Sequence, residues 1–205
     1  MSAKWTWNKC FPYPKSKREV LEGLRHYDVV DGLLPSVTTI LSDTKSEEKQ
    51  RKLAEWRERV GQDEATRITD QSGQRGTIMH NYLEHYLKGQ NKLDLSPVGV
   101  TAGGMATKIM EDGVFDKLTE IWGSEVVVFY PGLYAGQTDV VGIYEGDQSI
   151  VDFKQSNKPK KREWIDDYFM QSAAYAMAHN QIYGTNISKG VIMVCTPDLY
   201  FQRFV

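Results

Sequence analysis

The chain has 205 residues, 40% of them hydrophobic and 25% charged, with a formal net charge of −2. That is the composition of an ordinary globular protein, long enough for one full core or a core plus a helical subdomain, and too near neutrality for a general polyanion binder. No apolar stretch approaches the roughly 18 residues of a membrane span, and two distant cysteines, Cys10 and Cys195, exclude a four-cysteine iron–sulfur cluster within one chain and suit a reducing compartment. Residues 1–31 carry acids (Glu19, Glu22, Asp28) and no apolar leader core, so the sequence predicts a protein that is not secreted.

In chain order, residues 1–35 are aromatic and proline-rich (Trp5, Trp7, Phe11, Pro12, Tyr13, Pro14) and read as an irregular segment packing over something larger. Ser36 after Pro35 predicts the cap of a short helix. Ser46 to Val60 is strongly helix-forming, with Leu53, Trp56 and Val60 on one face. A third helix is expected over Asp63 to Asp70. Gly73 to Gly76 reads as a break, and a further helix covers Thr77 to Lys88. Asn91 to Gly104 reads as loop, and Met105, Ile109, Leu118 and Trp122 form the stripe of a helix from Met105 to Trp122. The pattern then turns to strands at Ser124–Tyr130, Tyr134–Tyr144 and Ser149–Lys154. The last two are joined across Glu145-Gly146-Asp147-Gln148, a hairpin signal. A helix from Glu163 to Asn180, a strand from Lys189 to Thr196 and a last strand from Leu199 complete the chain. The predicted fold class is α/β: a mixed sheet of order βββαβ, covered on both faces, behind an N-terminal helical region.

Pairing the hairpin symmetrically about Gly146-Asp147 sets Val141 opposite Asp152 and Asp139 opposite Lys154. Opposed residues, and alternate residues along a strand, share a face, so Asp139, Asp152 and Lys154 converge near the hairpin's open end. A loop of two or four residues preserves this arrangement; a one-residue slip destroys it. Two carboxylates and an ammonium on a buried sheet must pair or hold an ion. One reading is a structural Asp139–Lys154 salt bridge with Asp152 beside it. The other is a site for a hard cation, Mg²⁺ or Mn²⁺, in which Lys154 positions a water or stabilises a phosphate.

Flanking residues bear on the choice. Gln171 and Tyr175 are four apart on the following helix and share a face. Five of the nine residues from Lys154 to Arg162 are basic (Lys154, Lys158, Lys160, Lys161, Arg162), which suits phosphates at a rim but equally a solvated loop. Upstream, Gly76-Thr77-Ile78-Met79-His80 opens a helix on which His80 and Glu84 share a face.

Gly136-Gln137-Thr138-Asp139, then Ile150-Val151-Asp152-Phe153-Lys154, then Gln171-x-x-x-Tyr175 resembles the RecB-like branch of the PD-(D/E)xK nucleases. More narrowly, it is similar to the mitochondrial genome maintenance exonuclease and its phage-encoded relatives. The resemblance takes in Leu34-Pro35-Ser36-Val37-Thr38, Gly76-x-x-x-His80 and Asp152 through Lys160, and runs from about Leu34 to Val205. It implies a restriction-endonuclease-like core, hydrolysis with two Mg²⁺ or Mn²⁺ ions, and a preference for single-stranded DNA ends. By position it makes Asp139, Asp152 and Lys154 catalytic. It makes Asp139, Asp152, His80 and the Phe153 main-chain carbonyl metal ligands, and leaves Glu84 and Glu125 as weaker candidates. It also assigns DNA or site-shaping roles to Gln171 and Tyr175. The division expected is residues 1–122 as an N-terminal segment and helical region contributing His80, and residues 123–205 as the nuclease core.

The chain departs from that family in stopping at Val205 without a C-terminal helix and in having a short helical region. The lack of a transit peptide favours a viral or bacterial-cytoplasmic protein. Three readings compete: a single-strand-preferring DNA exonuclease, an endonuclease or flap nuclease on the same site, and a non-cleaving DNA-binding module, whose expected sign is loss of an Asp or the Lys. No Gly-x-x-x-x-Gly-Lys-Ser/Thr loop occurs, so no nucleotide cofactor or motor activity is expected.

Overall fold

The valine- and isoleucine-rich segments beyond residue 118 form the middle of a six-stranded sheet in the computed structural model, which describes residues 5–16 and 18–205. In spatial order its strands are β1 (Thr6–Trp7), β5 (Leu118–Tyr130), β6 (Tyr134–Tyr144), β7 (Asp147–Gln155), β8 (Lys189–Cys195) and β9 (Phe201–Phe204). β1 runs parallel to β5, and β7 parallel to β8; the other pairs are antiparallel. Helix α5 (Asp166–Tyr183) makes the β7-to-β8 crossover. From Leu118 onward the order is strand, strand, strand, helix, strand, strand, as the sequence predicts.

Both faces of this sheet are covered. Helices α3 (Gln62–Leu87) and α4 (Pro97–Ile109) set Met79, Leu83, Met105 and Ile109 against Val140, Val151, Phe153 and Val191. On the other face α1 (Val37–Asp43) and α5 set Val37, Tyr175 and Ala178 against Val141 and Ile150. Each fully buried aliphatic contributes roughly 1.5–3 kcal/mol. A second sheet, the antiparallel meander β2 (Arg18–Leu21), β3 (Leu24–Val29) and β4 (Gly32–Pro35), buries Tyr27, Val29 and Leu34 on Val127, Phe129 and Ala135.

Several expectations are corrected. Much of the N-terminal segment expected to be irregular is this meander, and Thr6–Trp7 joins the main sheet. Gly73 and Gly76 do not break the chain; one helix runs from Gln62 to Leu87. Two interior glycines cost roughly 0.5–1 kcal/mol each relative to alanine, which the buried stripe of Met79, Tyr82, Leu83 and Leu87 outweighs. The helix expected over Met105–Trp122 begins earlier, at Pro97 behind a Ser96 cap, and passes into a π-turn at Met110–Val114. Leu118 and Trp122 belong instead to β5; a regular strand would put residues four apart on one face, but the register shifts between Leu118 and Glu120 and between Ile121 and Gly123 leave the two packed in the cores on opposite sides of the sheet. Helix α2 (Glu47–Val60) forms as expected behind Ser46, but buries none of its residues, and Leu53 is exposed.

The hairpin register is also corrected. The turn is the two-residue Glu145-Gly146, both at positive φ (50° and 86°), and Tyr144 pairs with Asp147. Val141 therefore lies opposite Ile150, two residues from the symmetric expectation. A shift of two keeps every side chain on its expected face.

Candidate active site

β6 and β7 pair only as far as Val140–Val151. Beyond that point, where the ladder would set Asp139 opposite Asp152, the Phe153 N–H donates instead to Asp139 Oδ2 at 2.6 Å. An extended residue directs its N–H and C=O to the same neighbouring strand, so the Phe153 carbonyl also points to the β6 side, past the end of the ladder. The Phe153 ring lies on the opposite face, in the core. Lys154 pairs with Asp152, not with Asp139 as the salt-bridge reading supposed. Its Nζ donates to Oδ1 at 2.7 Å and stands 2.6 Å from Oδ2, off the line of a hydrogen bond. Asp152 Oδ2 is buried and accepts no hydrogen bond from the described residues.

His80 reaches this end of the sheet from α3. Its Nδ1 is 3.2 Å from Asp139 Oδ1 and 3.7 Å from Glu125 Oε1. One donor atom each from His80, Glu125 and Asp139 lies within 4.8 Å of the others, a group able to hold a metal ion. Glu125 sits opposite Asp139, between the pairs Ser124–Val140 and Val126–Thr138, with φ at 53°. A non-glycine residue in that region costs on the order of 1–3 kcal/mol and persists where its surroundings fix it. Gln137 does so here, donating through Nε2 to the Glu125 carboxylate at 2.7 Å.

The charges are tightly balanced. Burial opposes the His80 imidazolium, but Asp139 and Glu125 outweigh it and raise its pKa to about 10. Burial likewise works against the Asp139 charge, and His80, Lys154 and the Phe153 N–H together hold it below the usual carboxylate range. Burial, with Asp139 adding to it, lifts Asp152 to about 6 against the pull of Lys154. Burial raises Glu125 as well. Lys154 stays an ammonium because the two aspartates outweigh its desolvation. The result is three carboxylates, Glu125, Asp139 and Asp152, packed against two cations, His80 and Lys154, so that a hard cation entering among the carboxylates would compete with both.

These residues form the floor of a cleft of about 760 Å³. One wall is α3, with Gly76, Thr77, His80, Asn81 and Glu84; another is α5, with Gln171 and Tyr175. Gln171 Nε2 donates to the Tyr175 hydroxyl at 2.9 Å. A Cβ on Gly136 would come 2.5 Å from Tyr175 Cε1, so that position must be glycine for the ring to seat. Ser36 and Thr38 also line the cleft. Segments that the sequence keeps far apart (Ser36, Gly76 to His80, Gly136 to Asp139, Asp152 to Lys154, Gln171 to Tyr175) thus meet in one place.

Beyond Lys154, the basic run does not line the cleft. Arg162 pairs with Asp166 at 2.7 Å and lies over the Phe169 ring; Lys161 lies over Trp164; Lys160 is half-buried, with its backbone bonded to Gln202. Tyr82 is core, and Tyr86 packs against it with its hydroxyl near Thr107. The sequence reading missed the third wall, Arg18, Arg25 and Tyr27 of the small sheet. The signal was there: the Glu22-Gly23 turn, both residues at positive φ, is of the same type as Glu145-Gly146.

No family model matches the chain. Among curated proteins, mitochondrial genome maintenance exonuclease 1 matches from three organisms: human at 27% identity over 81% of this chain, mouse at 30% over 80%, and Xenopus tropicalis at 28% over 83%. The chain is related to these exonucleases. It spans about half of the length of each of them. A crystal structure from Eubacterium rectale, of a protein whose exonuclease activity is itself inferred, aligns with 66% of this chain and 59% of its own at a TM-score of 0.45 and 17% identity, a likeness too slight to argue from. Among the described residues no helix is long and apolar enough to cross a membrane.

Proposed function

We propose that this chain is a divalent-metal-dependent DNA exonuclease with a PD-(D/E)xK site, preferring single-stranded ends. The observation that carries the reading is the meeting of five sequence segments in one cleft around His80, Glu125, Asp139, Asp152 and Lys154. Relatives named as exonucleases support it. In this reading the β5–β6–β7–α5–β8 block is a restriction-endonuclease-like core, residues 123–205 carry the chemistry, and residues 1–122 contribute His80.

The donor set fits a hard divalent ion. It offers three carboxylates and an imidazole with no thiolate, and Asp152 Oδ2 is buried without a hydrogen bond. Asp139, Asp152, His80, Glu125 and the Phe153 carbonyl would hold Mg²⁺ or Mn²⁺, two ions in the full site. Such an ion supplies an activated water and neutralises charge on the scissile phosphodiester. The chain's own groups do the rest. Lys154, kept charged by Asp152, donates a hydrogen bond to the phosphate oxygen or orients the attacking water. The Phe153 N–H fixes the Asp139 carboxylate in one rotamer. Gln171 and Tyr175 form a preset pair that bounds the substrate's position. Lys158, Lys160, Lys161 and Arg162 would meet DNA outside the cleft.

The test is a gel time course with Mg²⁺ on single-stranded DNA labelled separately at each end, beside a covalently closed circle of the same sequence and a blunt duplex. Linear single strands should shorten from an end, the circle should persist, the duplex should be cut slowly, and chelator should silence all cutting. Equal rates on circle and line would make the enzyme an endonuclease on the same site.

A further inference from the structure

We infer that Arg18 and Arg25 form a paired phosphate-binding wall that holds the DNA strand over the metal-binding floor; the inference rests on the nuclease reading of the cleft. β2 and β3 pair with Arg18 opposite Tyr27 and Val20 opposite Arg25. Alternation along a strand then puts Arg18, Arg25, Tyr27, Val29 and Leu34 on one face of the small sheet. The far end of that face is sealed: Tyr27, Val29 and Leu34 are buried on Val127, Phe129 and Ala135. The sealed end fixes the direction of the near end, so both arginines overhang the cleft that Asp139, Asp152 and Lys154 floor.

Neither arginine forms an ion pair with any described residue, although the cleft they line also contains Glu84, Glu125, Asp139 and Asp152. The backbone beneath Arg25 is anchored. Its N–H donates to Thr39 Oγ1 at 3.1 Å, and its carbonyl accepts from the Ser36 N–H at 2.8 Å. As diagonal neighbours across the pair, the two residues stand roughly 7–8 Å apart at the backbone. That spacing suits two consecutive phosphates of a stretched single strand. Guanidinium forks match phosphate oxygens in geometry as well as charge, which two lysines would not. On this assignment the wall supplies the phosphate contacts that the basic run after β7 does not supply inside the cleft.

The experiment is fluorescence anisotropy of a labelled single-stranded oligothymidylate, in Ca²⁺ and across a salt series, with wild type, Arg18→Gln/Arg25→Gln, Arg18→Lys/Arg25→Lys and Lys154→Ala. Two lost phosphate contacts should reduce the slope of log affinity against log salt by about 1.4, at roughly 0.7 per contact. The double-lysine protein should keep most of the slope with weaker binding, which also guards against a folding defect in the glutamine variant. Lys154→Ala should lose at most the one contact it makes with the scissile phosphate, about 0.7 of slope, and fail to cut in Mg²⁺. An unchanged slope in Arg18→Gln/Arg25→Gln overturns the wall while leaving the nuclease reading standing. A reduced slope together with normal cutting by Lys154→Ala does the reverse.

Discussion

At the scale of single residues, the site is a balance between burial and charge pairing, and each charge has a checkable cost. Asp152 has its folded pKa raised to about 6, above the ordinary aspartate range, chiefly by burial. A raised carboxylate pKa adds stability below the unfolded value and loses it as pH rises through the folded one, so at pH 7 the ionised group is a net cost. Asp152→Asn should therefore stabilise the protein in chelator by on the order of 1–3 kcal/mol, at ~1.36 kcal/mol per unit, while abolishing cleavage. Thermal melts would show this as a raised midpoint; a lowered midpoint would mean that the pairing with Lys154 dominates. His80 works in the other direction. Its pKa is raised to about 10, so its ion pair stabilises fully below about pH 6.5 and fades as pH rises through about 10. In chelator, wild type should exceed His80→Gln in stability by about 1–3 kcal/mol at pH 6 and converge with it near pH 10.5, by urea titration at each pH. A gap independent of pH would assign His80 a packing role only.

At the scale of elements, the parts of the chain with sharp local signals were legible and those held by distant packing were not. Ser36, Ser46 and the valine-rich strands announced α1, α2 and the hairpin, and the convergence of Asp139, Asp152 and Lys154 followed from strand alternation even though the register was two residues off. Gly73 and Gly76 read as a break because local propensity argues for one. Their tolerance inside α3 comes from tertiary packing that no local window contains. The two glycines differ in a way the sequence hides. A Cβ on Gly73 would meet nothing within 4 Å, whereas one on Gly76 would sit 3.3 Å from Gln155 Cγ, where α3 meets the end of β7. Gly73→Ala should stabilise the protein by roughly 0.5–1 kcal/mol with activity unchanged. Gly76→Ala should gain less stability and lower activity by shifting Gln155 next to the site. Denaturant midpoints paired with cleavage rates test both; equal behaviour would mean that the α3–β7 contact does not bear on the site.

At the scale of the molecule, the charged floor of the cleft belongs to one sheet, and its walls come from three places: α3, α5 and the N-terminal meander. The floor could be read from sequence because its residues are close together in the chain. The meander's first turn was legible at Glu22-Gly23, but its place at the cleft was not, since Arg18, Arg25 and Tyr27 carry no motif and acquire meaning only once Tyr27, Val29 and Leu34 dock on β5 and β6. Glu125 was only a weak candidate for a similar reason, because its left-handed backbone and its place opposite Asp139 are products of the folded sheet. Under the proposed nuclease reading, enclosure by three walls should admit a flexible single strand more readily than a stiff duplex. The basic run at Lys158, Lys160, Lys161 and Arg162 lies outside those walls, so replacing all four should weaken binding less than replacing Arg18 and Arg25, as compared by anisotropy at one salt concentration.

If the cleft hydrolyses DNA as proposed, Lys154 serves the reaction rather than the fold. Single-turnover cleavage of end-labelled single-stranded DNA in Mg²⁺, comparing wild type with Lys154→Ala at matched binding, measures this directly. Lys154→Ala should lower the rate by at least about 100-fold, the order lost when a transition-state donor is removed, in a protein that remains folded and binds DNA. A rate within a few-fold of wild type would contradict it.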